Sequence, residues 1–187
     1  MGEYLRKLWH AMFGVIIGSM VYFWTPKTAQ AAMISLIFGL LLLKMAVLRR
    51  YNIPVIKDYL KVLTSERRVF EVGEGSMFFI FGSLIASLFF PKEVAAVSII
   101  VLGVSDAAAT MVGINSKRYI FGKKTIDGSL AFFISSLIIL TIAYNFAIGL
   151  LISLVLTPIE LVGGFDDNIV IPPACSLLIV LLQKIII

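Results

Sequence analysis

The sequence predicts an all-α membrane protein, a single helical bundle of about seven transmembrane helices with one amphipathic helix on its cytoplasmic side. Three observations carry that expectation. Hydrophobic residues fill 60% of the 187 positions, against roughly 45–50% in an ordinary soluble domain. Six or seven spans of about 20 residues with short connections would consume the whole chain, so residues 1–187 form one domain with no room for a second, soluble one. Basic residues fall almost entirely in alternate connections, the asymmetry that orients a polytopic protein in its bilayer.

The runs 8–24, 29–48, 75–90, 94–112, 129–144, 147–157 and 169–185 are the seven predicted spans. The first imitates a secretion signal, with Arg6 and Lys7 before an apolar run and then Ala29 and Ala31 at A-x-A spacing. Several spans follow it directly, so a retained first helix is the simpler expectation. The sixth run is short for a hydrocarbon layer of about 30 Å. One long bent helix could replace the division at Tyr144-Asn145, but the positive-inside count favours seven spans. Between the second and third spans, Ile53, Ile56, Leu60 and Leu63 recur at helical spacing around Lys57, Asp58, Lys61 and Thr64. That pattern, with Pro54 suited to a first turn, predicts an interfacial helix over 51–68. It would serve either as an anchor on anionic headgroups or as a gate beside a lipid entry path.

Placing the N-terminus in the cytoplasm puts Arg6, Lys7, Lys44, Arg49, Arg50, Lys57, Lys61, Arg67, Arg68, Lys117, Arg118, Lys123 and Lys124 inside. Only Lys27, Lys92 and Lys184 of the 16 basic residues are left outside. Of the 11 acidic residues only Glu93 would lie outside. The net charge of +5 therefore sits on a mixed-charge inner face, which argues against nucleic acid as a partner. The lone cysteine, Cys175, lies in an apolar run, so neither a disulfide framework nor a thiolate metal cluster is available.

Asp106 stands out because the run around it is apolar and small, and an ionised carboxylate at such depth must face protein, water or metal. Seven residues before Gly113, it would sit roughly 10 Å below the cytoplasmic end of its helix. It either carries function or pairs with a buried lysine or backbone group. Gly103, Ser105, Ala107, Ala108 and Ala109 beside it admit a close neighbour. The loop that follows holds Gly113, Lys117, Arg118, Gly122, Lys123, Lys124 and Thr125, then Asp127, Gly128 and Ser129. Glycines, lysines and a helix N-terminus suit a phosphate, although a plain positive-inside loop carries the same charges. Glu160, Asp166, Asp167 and Asn168 lie between the last two spans with no basic residue near them in sequence. Hard oxygen groups so arranged suit Mg²⁺, or a solvated turn. Arg6, Lys7 and His10 share one face where the first helix enters the membrane.

Together these segments resemble the dolichol kinase and phytol kinase family. Asp106-Ala107-Ala108-Ala109, Gly113, Gly122, Lys123-Lys124-Thr125 and Asp127-Gly128-Ser129-Leu130-Ala131 look like its D-A-A-A, glycine, glycine-lysine, K-T-x-E-G-S-x-A signature. Arg6-Lys7-x-x-His10-x-x-x-Gly14 looks like the R-K-x-x-H start, and Asp166-Asp167-Asn168 before Pro172 looks like the D-D-N-x-x-x-P segment. Asp127 stands where the family has glutamate, and the loop from Gly113 to Gly122 is longer than a G-x-x-x-G form.

The resemblance implies a CTP-dependent kinase that phosphorylates a membrane isoprenoid alcohol at the cytoplasmic face. It implies Mg²⁺ at Asp106, Asp166 and Asp167, one of which would accept the alcohol proton. Nucleotide contacts would come from Gly113, Gly122, Lys123, Lys124, Thr125, Gly128 and Ser129, with Asn168 ordering the acidic turn. Arg6, Lys7, His10 and Glu160 fall at the site edge. The partners expected are CTP, the alcohol and the surrounding lipids, with a homodimer allowed but not specified. The membrane would be the cell membrane in a prokaryote or the endoplasmic reticulum in a eukaryote. A CDP-lipid synthase, which also joins CTP, Mg²⁺ and acidic helices, is the nearest alternative. An ion-coupled transporter using Asp106 is the second, though the sequence has no internal repeat to support it.

Overall fold

The computed structural model describes residues 2–48, 74–122, 124–162 and 166–186. The expected interfacial helix at 51–68 lies outside the described residues, as do Arg49, Arg50 and Lys123. Seven helices and one hairpin form among the described residues: α1 (Gly2–Phe23), α2 (Pro26–Leu48), α3 (Glu74–Phe89), α4 (Lys92–Gly113), β1 (Tyr119–Phe121), β2 (Lys124–Thr125), α5 (Ile126–Ala143), α6 (Phe146–Val162) and α7 (Asp167–Ile186). The strands pair antiparallel.

Helices α2, α4, α5 and α7 are long and apolar enough to cross a membrane, so the chain is built as an all-α membrane protein. Helices α3 and α6 are apolar but have only 16 and 17 residues, about 24–26 Å at roughly 1.5 Å per residue. Helix α1 has 22 residues, but Glu3, Arg6, Lys7 and His10 make its first turns polar. The outer faces carry large apolar side chains such as Ile16, Phe38 and Ile142, a surface suited to lipid and costly in water.

Each boundary has a local cause. Pro26 opens α2, where its missing N–H removes no helical bond. Pro91 caps α4. Asn145 divides α5 from α6 by accepting the Ile148 N–H on its side-chain oxygen at 2.9 Å. Asp166 starts α7 by accepting the Asn168 N–H at 3.0 Å. The sequence reading ends the sixth helix before Pro158 and starts the seventh at residue 169, and both boundaries need correction. Helix α6 runs through Pro158 to Val162, and α7 starts at Asp167 with Pro172 and Pro173 inside it. Proline removes one helical donor, but helices packed among others in a bundle tolerate that loss.

Helix α4 stands at the centre, with α1, α5, α7 and α3 against it, while α2 packs on α3 and α6 packs between α5 and α7. Its inner residues, among them Ile99, Val101 and Leu102, are fully covered. Several buried hydroxyls are satisfied within their own helices, as in Ser83 to the Phe79 carbonyl and Ser98 to the Val94 carbonyl.

Candidate functional site

The site begins with two glycines. Gly14 of α1 and Gly103 of α4 cross so closely that a Cβ on Gly14 would lie 2.7 Å from the Gly103 Cα, and one on Gly103 would lie 2.6 Å from the Gly14 Cα. No larger residue fits at that crossing. The contact brings the first turns of α1 beside the last turns of α4. Lys7 Nζ therefore reaches Asp106 Oδ2 at 2.5 Å, and His10 Nε2 lies 3.4 Å from the same oxygen. All three side chains are at least 85% covered, and the His10 ring meets Phe79 edge-on at 4.8 Å. Asp106 thus has the buried lysine partner that the sequence left open. Arg6, one position away, turns outward to Glu3.

The expected phosphate loop is a compact hairpin. Gly122 sits at its turn with a positive φ of 56°, a conformation that disfavours other residues. Thr125 follows as the N-cap of α5, accepting the Gly128 N–H at 3.1 Å. Helix α5 accordingly starts at Ile126, so Asp127, Gly128 and Ser129 belong to its first turn. Gly113 and Gly128 let the end of α4 approach that turn. A Cβ on Gly113 would meet the Thr125 hydroxyl at 2.8 Å, and one on Gly128 would meet the Ala109 carbonyl at 2.8 Å. Ser116, not singled out in the sequence, donates to Asp127 at 2.5 Å and accepts the Arg118 N–H at 3.1 Å.

From the hairpin, Lys124 points back into the bundle. It bonds to Glu160 of α6 and, at 2.7 Å, to Asp167 of α7. Ser129 faces the other Glu160 oxygen at 3.4 Å. The acidic segment therefore has a basic partner after all, supplied across 36 residues by the hairpin fold. Burial alone would push the Lys124 ammonium down, but Asp167 and Glu160 outweigh it and hold the group above the usual lysine range. Asn168 bonds Asp166 through its own N–H and side-chain amide. Its backbone carbonyl fits against Gly82 of α3, where a Cβ would come within 2.1 Å.

The two ionic groups share one end of the bundle. Asp166 acts electrostatically on His10, Lys124 acts on Asp106, and Asp106 acts on Asp167. Among the described residues no three carboxylate, histidine or cysteine side chains are close enough together to form a ready-made metal cage. Asp106 is held by Lys7 and Asp167 by Lys124. Gly14-x-x-x-Gly18, a small-residue spacing typical of close helix crossings, was the sequence signal for the α1–α4 contact. The Ser116 and Gly82 contacts had no comparable signal.

No family model and no solved structure matches the chain. It is 29% identical over 186 residues to the uncharacterized protein RP860 of Rickettsia prowazekii, covering 91% of this chain and 89% of that protein. It is 35% identical over 179 residues to the uncharacterized protein MJ1137 of Methanocaldococcus jannaschii, covering 92% of this chain and 90% of the relative. By that extent of likeness the chain belongs to the same family as the Methanocaldococcus jannaschii protein.

Proposed function

We propose that the chain is a CTP-dependent kinase of membrane isoprenoid alcohols such as dolichol, another polyprenol or a phytol-like alcohol. The observation that carries this is the gathering at one bundle end of Lys7 and His10 from α1, Asp106 from α4, Lys124 from β2, Glu160 from α6 and Asp167 from α7. Charged groups there can meet a soluble nucleotide, while the apolar outer faces keep an isoprenoid tail in the bilayer. In this arrangement α1, α3 and α6 also cross the membrane, giving seven spans. The N-terminus then lies on the cytoplasmic side.

The alcohol oxygen attacks the γ-phosphorus of CTP, the bond to the bridging oxygen breaks, and CDP leaves with that electron pair. Lys7 and His10 both face Oδ2 of Asp106, so Oδ1 is the oxygen that would take the alcohol proton. Lys123 and Lys124 would neutralise the β- and γ-phosphates beside the N-terminus of α5, with backbone groups near Gly122 and Gly128 assisting. Such transfers depend mainly on positioning and charge neutralisation. Mg²⁺ is ordinarily held by one or two carboxylates plus substrate phosphates, so the lack of a three-ligand cage does not conflict with it. One or two of Asp106, Asp166 and Asp167 would hold it, and the buried Asn168 Oδ1, without a hydrogen-bond partner, is an oxygen of the right kind. When bound, the ion would neutralise phosphate charge.

Purified protein in detergent, given Mg²⁺, γ-labelled CTP, mixed polyprenols and phosphatidic acid, tests the proposal. Label is expected in a lipid monophosphate and should be lost in Asp106→Asn. Label released as pyrophosphate would instead indicate a CDP-lipid synthase, and absence of any transfer would remove the kinase assignment.

A further inference from the structure

Glu160 is the most deeply buried carboxylate among the described residues, 2% exposed, yet the transfer proposed above gives it no chemical step. Both its oxygens face polar groups: one holds the Lys124 ammonium and the other faces the Ser129 hydroxyl. The two carboxylates on Lys124 are unequal. Glu160 has 3% of its side chain exposed and Asp167 has 19%, while Lys124 itself is 29% exposed. A buried carboxylate that loses its only ionic partner has no water to replace it, whereas a carboxylate at the mouth can be rehydrated. An incoming anion will therefore displace Asp167 from Lys124 before it displaces Glu160. Lys124 also immediately precedes Thr125, the N-cap of α5, so an anion drawn to it arrives at a helix N-terminus.

We propose that Glu160 is a positioning residue of a polyphosphate-binding site: it anchors the Lys124 ammonium at the mouth between α5 and α7, where an incoming polyphosphate replaces Asp167 as the lysine's second partner. The identity of that polyphosphate as the tail of CTP rests on the function proposed above, but the anchoring does not.

Binding of inorganic tripolyphosphate to the full chain in detergent, with EDTA present, reads the lysine site without nucleotide, metal or turnover. Glu160→Gln should weaken binding at least about tenfold, the loss of one charge-assisted hydrogen bond, and Glu160→Asp should restore most of it. Asp167→Asn removes the competitor for Lys124 and should bind tripolyphosphate as tightly as the parent or more tightly. That partly exposed position keeps the test decisive if Glu160→Gln does not fold. In turnover, Glu160→Gln should raise KM for CTP far more than it lowers kcat. Unchanged tripolyphosphate binding in folded Glu160→Gln, weaker binding in Asp167→Asn, or no binding by the parent protein would overturn the proposal. Tripolyphosphate binding without transfer from CTP would leave the anchor standing and remove the kinase.

Discussion

A carboxylate in the apolar stretch of a membrane helix has to be compensated by something, and at Asp106 the compensation is Lys7, from a residue 99 positions earlier. Pairing and function are compatible there, because a lysine that holds one carboxylate oxygen leaves the other for chemistry. Lys7→Met should cost about 3–5 kcal/mol by stranding a buried charge, measured as thermal unfolding in detergent, whereas Lys7→Arg should retain most of the stability. Adding Asp106→Asn to Lys7→Met should recover much of the loss, since the pair is then removed together. A double mutant no more stable than Lys7→Met would contradict the pairing. Lys124 offers a pH signature of the opposite group. Its folded value lies above the ordinary 10.5, so its ion pairs contribute fully below that pH and are lost as pH rises through the folded value. The stability gap between the parent and Lys124→Gln should be constant from pH 7 to 9 and should close in the alkaline range above the ordinary lysine value.

At the level of helices, the site depends on how closely α1 and α4 cross. Gly14→Ala would press a methyl group into the Gly103 backbone, which cannot move aside as a side chain can. Overpacking of this kind costs about 1–3 kcal/mol, and it would also move Lys7 and His10 away from Asp106. The expected result is a lower thermal midpoint together with loss of activity. Gly39→Ala, where a Cβ meets nothing within 4 Å, should change neither. The helices themselves were readable in the sequence because long apolar runs end at strong local breakers: Pro26, Pro91 and Asn145 sit at real boundaries. Pro158 misled for the same reason, since a breaker inside a packed bundle need not break. Asp106 was readable as an ionisable residue in an apolar run. Its lysine partner was not, because Gly14-x-x-x-Gly18 marks a close crossing of α1 without naming the helix it meets, and the bond from Lys124 to Glu160 depends on packing that no local pattern specifies.

Considered as a whole, the bundle has two chemically different ends. At one, Lys7, Asp106, Lys124, Glu160 and Asp167 lie together. At the other, Lys92 stands 6.0 Å over the Tyr22 ring, near the turn at Thr25 and Pro26. Among the described residues, Arg6, Lys7, Lys117, Arg118 and Lys124 belong to the charge-rich end and its connections, so that end should face the cytoplasm. A nucleotide-dependent reaction requires the same orientation, because CTP is supplied from that side. Two single-cysteine variants in a Cys175→Ala background separate the ends: Lys117→Cys lies in the connection before β1, and Thr25→Cys lies in the turn between α1 and α2. In intact cells a membrane-impermeant maleimide should label Thr25→Cys, and Lys117→Cys should react only after the membrane is opened. The reverse pattern would place Lys124 and Asp106 on the side away from CTP, and a kinase that draws CTP from the cytoplasm could not work in that orientation. Labelling of both positions from outside would mean that an even number of α2, α3 and α4 cross, so the two ends of the bundle would not lie on opposite sides of the membrane.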